Sequence, residues 1–217
     1  SQAISATTAW RNWHRKEITP HDGLVRADHP LLQAILGRTQ SASSLRLLLR
    51  SPLGFVWRYG MRLRTPDSGA DPLVLDALAM GDLVHMTLDL ALATLEKAGG
   101  LAVADEAQIT GAVQDAATRI AVVWESERAV PPALIWRRTL DDARLLTTRA
   151  LTYGDEHLPD ARSFGEVAFG GATPKADAAS PWDSQTPVEI PTTGFRIAGY
   201  IDRLDIASDG KRALVCD

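Results

Sequence analysis

The chain has 217 residues, 45% of them hydrophobic and 23% charged, which is enough apolar material for a packed core. No run approaches the roughly 18 uninterrupted apolar residues of a membrane span, and the N-terminus lacks a charged-then-apolar signal pattern; a cytoplasmic protein with no membrane partner is expected. The single cysteine, Cys216, excludes an internal disulfide framework and a cysteine-built zinc or iron-sulfur site within this chain, while the net charge of −4 weighs lightly against nucleic acid.

In chain order, residues 1–40 mix polar, Pro and Gly positions, with a turn-like His21-Asp22-Gly23, and predict an irregular lead-in or linker end. Ser43 or Ser44 can cap a short helix running through Arg50, and Ser51-Pro52 opens a second one. No acidic residue occurs between Asp28 and Asp67, a window that holds Arg38, Arg46, Arg50, Arg58, Arg62 and Arg64 interleaved with Phe55, Trp57 and Tyr59. A basic and aromatic patch of this kind suits a phosphate backbone; a solvated helix face is the alternative. Met80, Leu83, Val84, Leu88, Ala91, Leu92 and Leu95 recur at helical spacing up to a stop at Gly99-Gly100. Ile109, Val113, Ala116, Ile120 and Val123 mark a further helix, and Pro131-Pro132 opens another carrying Trp136, Leu140, Ala143 and Ala150. Beyond these the texture becomes β-compatible: 163–169, 195–207 and 212–217 read as strands, with a loop over 170–187. Ser1 is not an initiator methionine and Asp217 falls inside an expected strand, so the sequence reads as part of a longer protein.

Asp209-Gly210 is the strongest hairpin signal in the chain. As a two-residue turn it sets Ser208 opposite Lys211 and Asp202 opposite Asp217. Directly opposed Cβ atoms lie about 5 Å apart, where like charges repel. The same face carries Leu204, Ile206, Ala213 and Val215, so the two aspartates end an apolar stripe expected to face the core. A divalent cation would compensate the pair, and a cation held by carboxylates is what phosphodiester hydrolysis needs. A bulge that shifts the register would leave both as solvated strand ends.

The run Gly199-Tyr200-Ile201-Asp202-Arg203-Leu204-Asp205, followed by a hairpin and Leu214-Val215-Cys216-Asp217, resembles the G-x-I-D-R-x-D and V-x-D-Y-K stretches of RecB/AddB-type PD-(D/E)xK nucleases. Gly81-Asp82-Leu83-Val84-His85 resembles the G-x-x-x-H helix of that family, with a glycine that leaves room for close approach. Glu166, within Phe164-Gly165-Glu166-Val167-Ala168-Phe169, looks like the glutamate on the first strand of its sheet, and Ser43 through Phe55 resembles the segment that opens the domain. The resemblance implies a mixed α/β fold, with a restriction-endonuclease-like core sheet flanked by helices and a helical N-terminal portion. It implies a nuclease domain over 41–217, incomplete at its C-terminus. It further implies metal ligation by His85, Asp202 and Asp217, Glu166 as a further catalytic residue, and Mg²⁺ or Mn²⁺ as the cofactor. DNA would be met by Arg46, Arg50, Arg58, Arg62 and Arg64. The expected activity is metal-dependent DNA hydrolysis, as an exonuclease, beside a helicase domain or partner subunit in DNA repair or recombination. The alternative is a catalytically inactive module of the same fold, for DNA binding or subunit interaction; a helical interaction domain unrelated to nucleases ranks below both.

Two departures qualify the match. Iron-sulfur members carry cysteine where this chain has Ser51, so no cluster is expected. The lysine of the D-x-K motif would fall two residues after Asp217. The residues in this chain are therefore expected to show little or no nuclease activity by themselves.

Overall fold

A computed structural model describes residues 2–15, 26–64, 72–152, 158, 160–175 and 179–216. The His21-Asp22-Gly23 turn and Asp217 lie outside the described residues. The chain divides into two compact units, one of residues 1–66 and 187–198, the other of 67–186 and 199–217.

The first unit is largely helical. Helix α1 covers Gln2–Arg15 and α2 covers Pro30–Gly37, so the described part of the expected irregular lead-in is instead mostly helix. His29 caps α2 by accepting the Leu31 N–H at Nδ1, and Pro30 sits in the first turn, where its missing N–H costs nothing. Helix α3 (Ala42–Arg50) is capped two or three residues earlier than the expected Ser43 or Ser44. Ser41 is its N-cap, and Ser44 is the third helical residue that completes a capping box. Ser51 and Pro52 open α4 (Pro52–Phe55) as expected, and the chain continues into a π-helical turn, Val56–Gly60. The short strands β2 (Val188–Glu189) and β3 (Arg196–Ile197) pair antiparallel, and Gln40 bridges to Ile197 through Gln40 N–H to the Arg196 carbonyl and Ala198 N–H to the Gln40 carbonyl. The buried Gln40 side chain donates to the carbonyls of Ile35 and Arg38 and accepts from Ser44 Oγ, so this interior amide is satisfied.

The second unit packs three long helices with an antiparallel sheet. Helix α5 spans Ala77–Lys97, capped by Asp76; α6 spans Glu106–Glu127, opened by an Asp105–Gln108 capping box; α7 spans Ala133–Thr152 after the two prolines. By length and composition α5 could cross a membrane. Its apolar residues face a core instead: Leu83, Leu88, Ala91, Leu92 and Leu95 are buried. Leu92 and Leu95 meet Ile109, Val113 and Leu151, while Leu83 meets Trp124 and Trp136, whose rings stack at 6.0 Å. Each such side chain contributes roughly 1.5–3 kcal/mol by leaving water. On α7 the buried positions are Trp136, Ala143, Thr147 and Leu151, and the expected Ala150 is exposed.

Strands β1 (Arg162–Phe169), β4 (Gly199–Ile206) and β5 (Ala213–Cys216) form one sheet in the order β1-β4-β5. The single strand expected over 195–207 is two strands in two sheets, because Arg196–Ile197 pairs with β2 while Gly199–Ile206 pairs with β1. The β4–β5 register matches expectation: Arg203 opposes Cys216, Leu204 opposes Val215 and Ile206 opposes Ala213. The turn itself is longer than two residues. Ala207 donates to the Arg212 carbonyl, Gly210 donates back to the Ala207 carbonyl from a left-handed conformation (φ 65°), and Asp209 Oδ1 accepts the Lys211 N–H. The apolar stripe is also only partly interior. Leu204 is buried beside Phe164 and Val167, whereas Val215 is 59% exposed. The opposite face of β4 is closed by ionic groups, Arg203 and Asp205.

Candidate functional site

Three elements of the second unit converge. His85 projects from the middle of α5, Glu166 from β1 and Asp202 from β4, and one ligand atom from each lies within 4.8 Å of the other two. Strand pairing explains half of this: Gly165 opposes Arg203 and Val167 opposes Ile201, which leaves Glu166 facing Asp202. Two carboxylates facing each other across a sheet repel. His85 Nδ1 stands 3.5 Å from Asp202 Oδ2. One imidazole nitrogen and two carboxylates are the donor set of a hard or borderline divalent cation, so these residues fit such an ion.

The backbone at Glu166 is unusual. Its φ of 48° is left-handed, in mid-strand and at a non-glycine residue. That conformation costs on the order of 1–3 kcal/mol and is characteristic of functional sites, where surrounding structure holds it in place. Glu166 is buried, and its Oε1 accepts an ion pair from Lys175 Nζ at 2.9 Å. Lys175 belongs to the loop that follows β1. The loop is fastened near the sheet by Tyr200 Oη donating to the Thr173 carbonyl at 2.7 Å and by Trp182 Nε1 donating to the Ala168 carbonyl at 2.9 Å.

Asp89 lies one helical turn beyond His85 on α5. Burial pushes its carboxyl above the ordinary carboxylate value of 3.8; Lys175 pulls it back down, and the Glu166 charge pushes it up again. A Cβ placed on Gly165 would lie 2.5 Å from Asp89 Oδ1, so glycine at 165 is what lets that carboxylate sit against β1. Gly81, in contrast, would meet nothing within 4 Å, and the close approach expected there is absent among the described residues. A cavity of about 1030 Å³ opens beside Asp89, Gly165 and Lys175, with Phe164, Arg162 and Met86 among its walls.

Sequence reasoning thus places His85, Glu166 and Asp202 in one group, and the structure brings them together. Asp217, the further expected ligand, lies outside the described residues. Asp89 and Lys175 were missed. Asp89 carried a signal, a second ionisable residue four positions after His85 on an apolar helix; Lys175, in a Pro and Ala-containing loop, carried none.

The D-R-x-D run splits in role. Asp202 faces the cluster, while Arg203 and Asp205 form a buried pair, with side chains 4% exposed each. Arg203 Nε and Nη2 donate to the two Asp205 oxygens at 3.0 and 2.6 Å, and Nη1 donates to the Ala150 carbonyl at 2.9 Å, satisfying an orphan carbonyl at the end of α7.

In the first unit, Arg38, Arg46, Arg50, Arg58, Arg62 and Arg64 are all exposed, as is Trp57. Arg38 lies 4.5 Å over the Tyr59 ring and Arg58 lies 5.9 Å from it, a shared cation–π contact that holds two cations beside an aromatic surface.

A search of curated proteins gave no match. The PD-(D/E)XK nuclease superfamily profile matches residues 39–217, a span holding the exposed arginines from Arg46 to Arg64 and the His85, Glu166 and Asp202 cluster. Nucleases of this superfamily use divalent metals, for which that cluster has the right donors. With most of its length matched and a metal-competent donor set in place, the chain belongs to the PD-(D/E)XK nuclease superfamily.

Proposed function

We propose that residues 41–217 belong to a DNA nuclease domain of RecB/AddB type, working within a helicase-nuclease or related repair protein. The observation that carries this reading is the convergence of His85, Glu166 and Asp202 from three separate elements onto one point. His85, Glu166 and Asp202 hold Mg²⁺ or Mn²⁺, with Asp217 as a further ligand. The cation supplies Lewis-acid stabilisation of charge on a phosphate oxygen and makes a nucleophile of water at neutral pH. Glu166 and Asp202 bring acceptor oxygens to one point, and His85 offers an imidazole nitrogen. The exposed arginines between Arg46 and Arg64 bind the phosphate backbone without regard to sequence.

Mn²⁺ titration and DNA cleavage test the reading together. The protein should bind Mn²⁺, and Asp202→Ala should lose that binding. Cleavage should appear once the chain is extended through the D-x-K lysine, because a lost charge-stabilising contact commonly costs on the order of 100- to 1000-fold. Metal-independent cleavage, or no Mn²⁺ binding, refutes the assignment. DNA binding without cleavage in the extended protein makes the non-catalytic module the better reading.

A further inference from the structure

Lys175 touches two features of the second unit at once. Its ammonium stands 2.9 Å from Oε1 of Glu166, and its side chain forms part of the wall of the cavity of about 1030 Å³. Glu166 is in turn one of the three residues whose ligand atoms converge within 4.8 Å. A positive charge therefore sits at the boundary between the ligand cluster and a space of the volume that small-molecule sites have. The Glu166 side chain is 11% exposed and that of Lys175 46%, so the carboxylate lies inside and the lysine at the surface.

We propose that Lys175 is a substrate-binding residue, donating to a phosphate oxygen of the strand being cut while it keeps its contact with Glu166. It is separate from the lysine expected after Asp217. The inference rests on the reading of His85, Glu166 and Asp202 as cation ligands. A six-coordinate Mg²⁺ holds its oxygens at about 2.1 Å, so oxygens of adjacent ligands lie about 3 Å apart. A phosphate oxygen on a cation that Glu166 also binds is thus close to the Glu166 carboxylate. An ammonium already 2.9 Å from that carboxylate is within reach of the phosphate. An ammonium carries three N–H donors, so one can meet Glu166 and another the phosphate oxygen. Lysine binds phosphate as a point charge on a flexible stem, and half-exposed Lys175 can turn toward it without unpacking a core. Its loop stays in place meanwhile, because Tyr200 Oη holds the Thr173 carbonyl two residues earlier at 2.7 Å.

The test reads binding rather than turnover. Calorimetry measures Mn²⁺ affinity, and then the affinity of the Mn²⁺-loaded protein for thymidine 5′-monophosphate and for thymidine. The proteins are the wild type, Lys175→Met, Lys175→Gln and Asp202→Ala, with circular dichroism confirming each fold. The wild type should bind the monophosphate more tightly than thymidine. Both Lys175 variants should bind the monophosphate about 10- to 100-fold more weakly, the loss expected for one hydrogen bond to a charged group, with Mn²⁺ affinity undiminished. Three results overturn the inference while the metal-site reading stands: equal binding of the two probes by the wild type, unchanged monophosphate affinity in both variants, or a parallel loss of Mn²⁺ affinity in both. The last would make Lys175 a support for Glu166 and nothing more. If the wild type binds no Mn²⁺, or Asp202→Ala binds it as well as the wild type, the metal-site reading itself falls.

Discussion

Asp202 and Asp205 are two residues of the same strand with opposite consequences when removed. Asp205→Ala leaves the Arg203 guanidinium without its two charge-assisted hydrogen bonds, in a place where its side chain is 4% exposed. Breaking one partner of a buried pair costs about 3–5 kcal/mol, since the surviving charge has neither water nor counter-ion. For a chain of this size each kcal/mol lowers the melting temperature by about 2–4 °C, so a fall of about 6–20 °C is expected. Asp202→Ala removes a half-buried carboxylate that repels Glu166 across the strands and meets His85 Nδ1 at 3.5 Å, two small terms of opposite sign. It should melt within about 2 °C of the wild type, or above it, by the small size of such cross-strand terms. Thermal and urea unfolding followed by circular dichroism, with Mn²⁺ absent, separates the two. A double replacement, Arg203→Met with Asp205→Leu, should recover most of the loss by exchanging a charged pair for an apolar one. If Asp205→Ala melts with the wild type, the buried Arg203–Asp205 pair does not brace the fold and the contrast between it and Asp202 is wrong.

Glu166→Gly should be more stable than Glu166→Ala by about 1 kcal/mol, because glycine alone accepts the left-handed backbone without strain; equal urea midpoints would contradict this. Asp89→Asn should stabilise the protein at pH 7. Below its ordinary 3.8 the carboxyl is protonated in both states; as pH rises the unfolded chain ionises first and wild-type stability falls until the folded carboxyl ionises too, so the advantage of the variant should fade on acidification, and an advantage constant with pH would refute the cause. Replacing Arg58 and Arg62 together with glutamate should weaken DNA binding about equally for unrelated sequences and flatten its salt dependence, as read by fluorescence anisotropy; unchanged binding would make the patch a bystander.

Local chemistry made much of this protein legible. Apolar spacing ending at Gly99-Gly100 marks α5, the proline pair marks the start of α7, and Asp209-Gly210 carries the β4–β5 register even though the turn is longer than two residues. His85, Glu166 and Asp202 could be named together because a family resemblance joins positions far apart in the chain. Periodicity alone joins only neighbours. Tertiary structure decided the rest. The break at Ala198 depends on hydrogen bonds to Gln40, some 160 residues away, and nothing in the run 195–207 encodes it. The inward turn of Arg203 and Asp205 depends on a carbonyl at Ala150 that happens to need a donor. Lys175 reaches Glu166 from a loop with no periodicity, by a distance in space rather than a spacing in sequence. Strand and helix patterns follow from the period of the backbone; the partners of a buried charge follow only from which segments the fold brings within about 3 Å, the reach of a hydrogen bond.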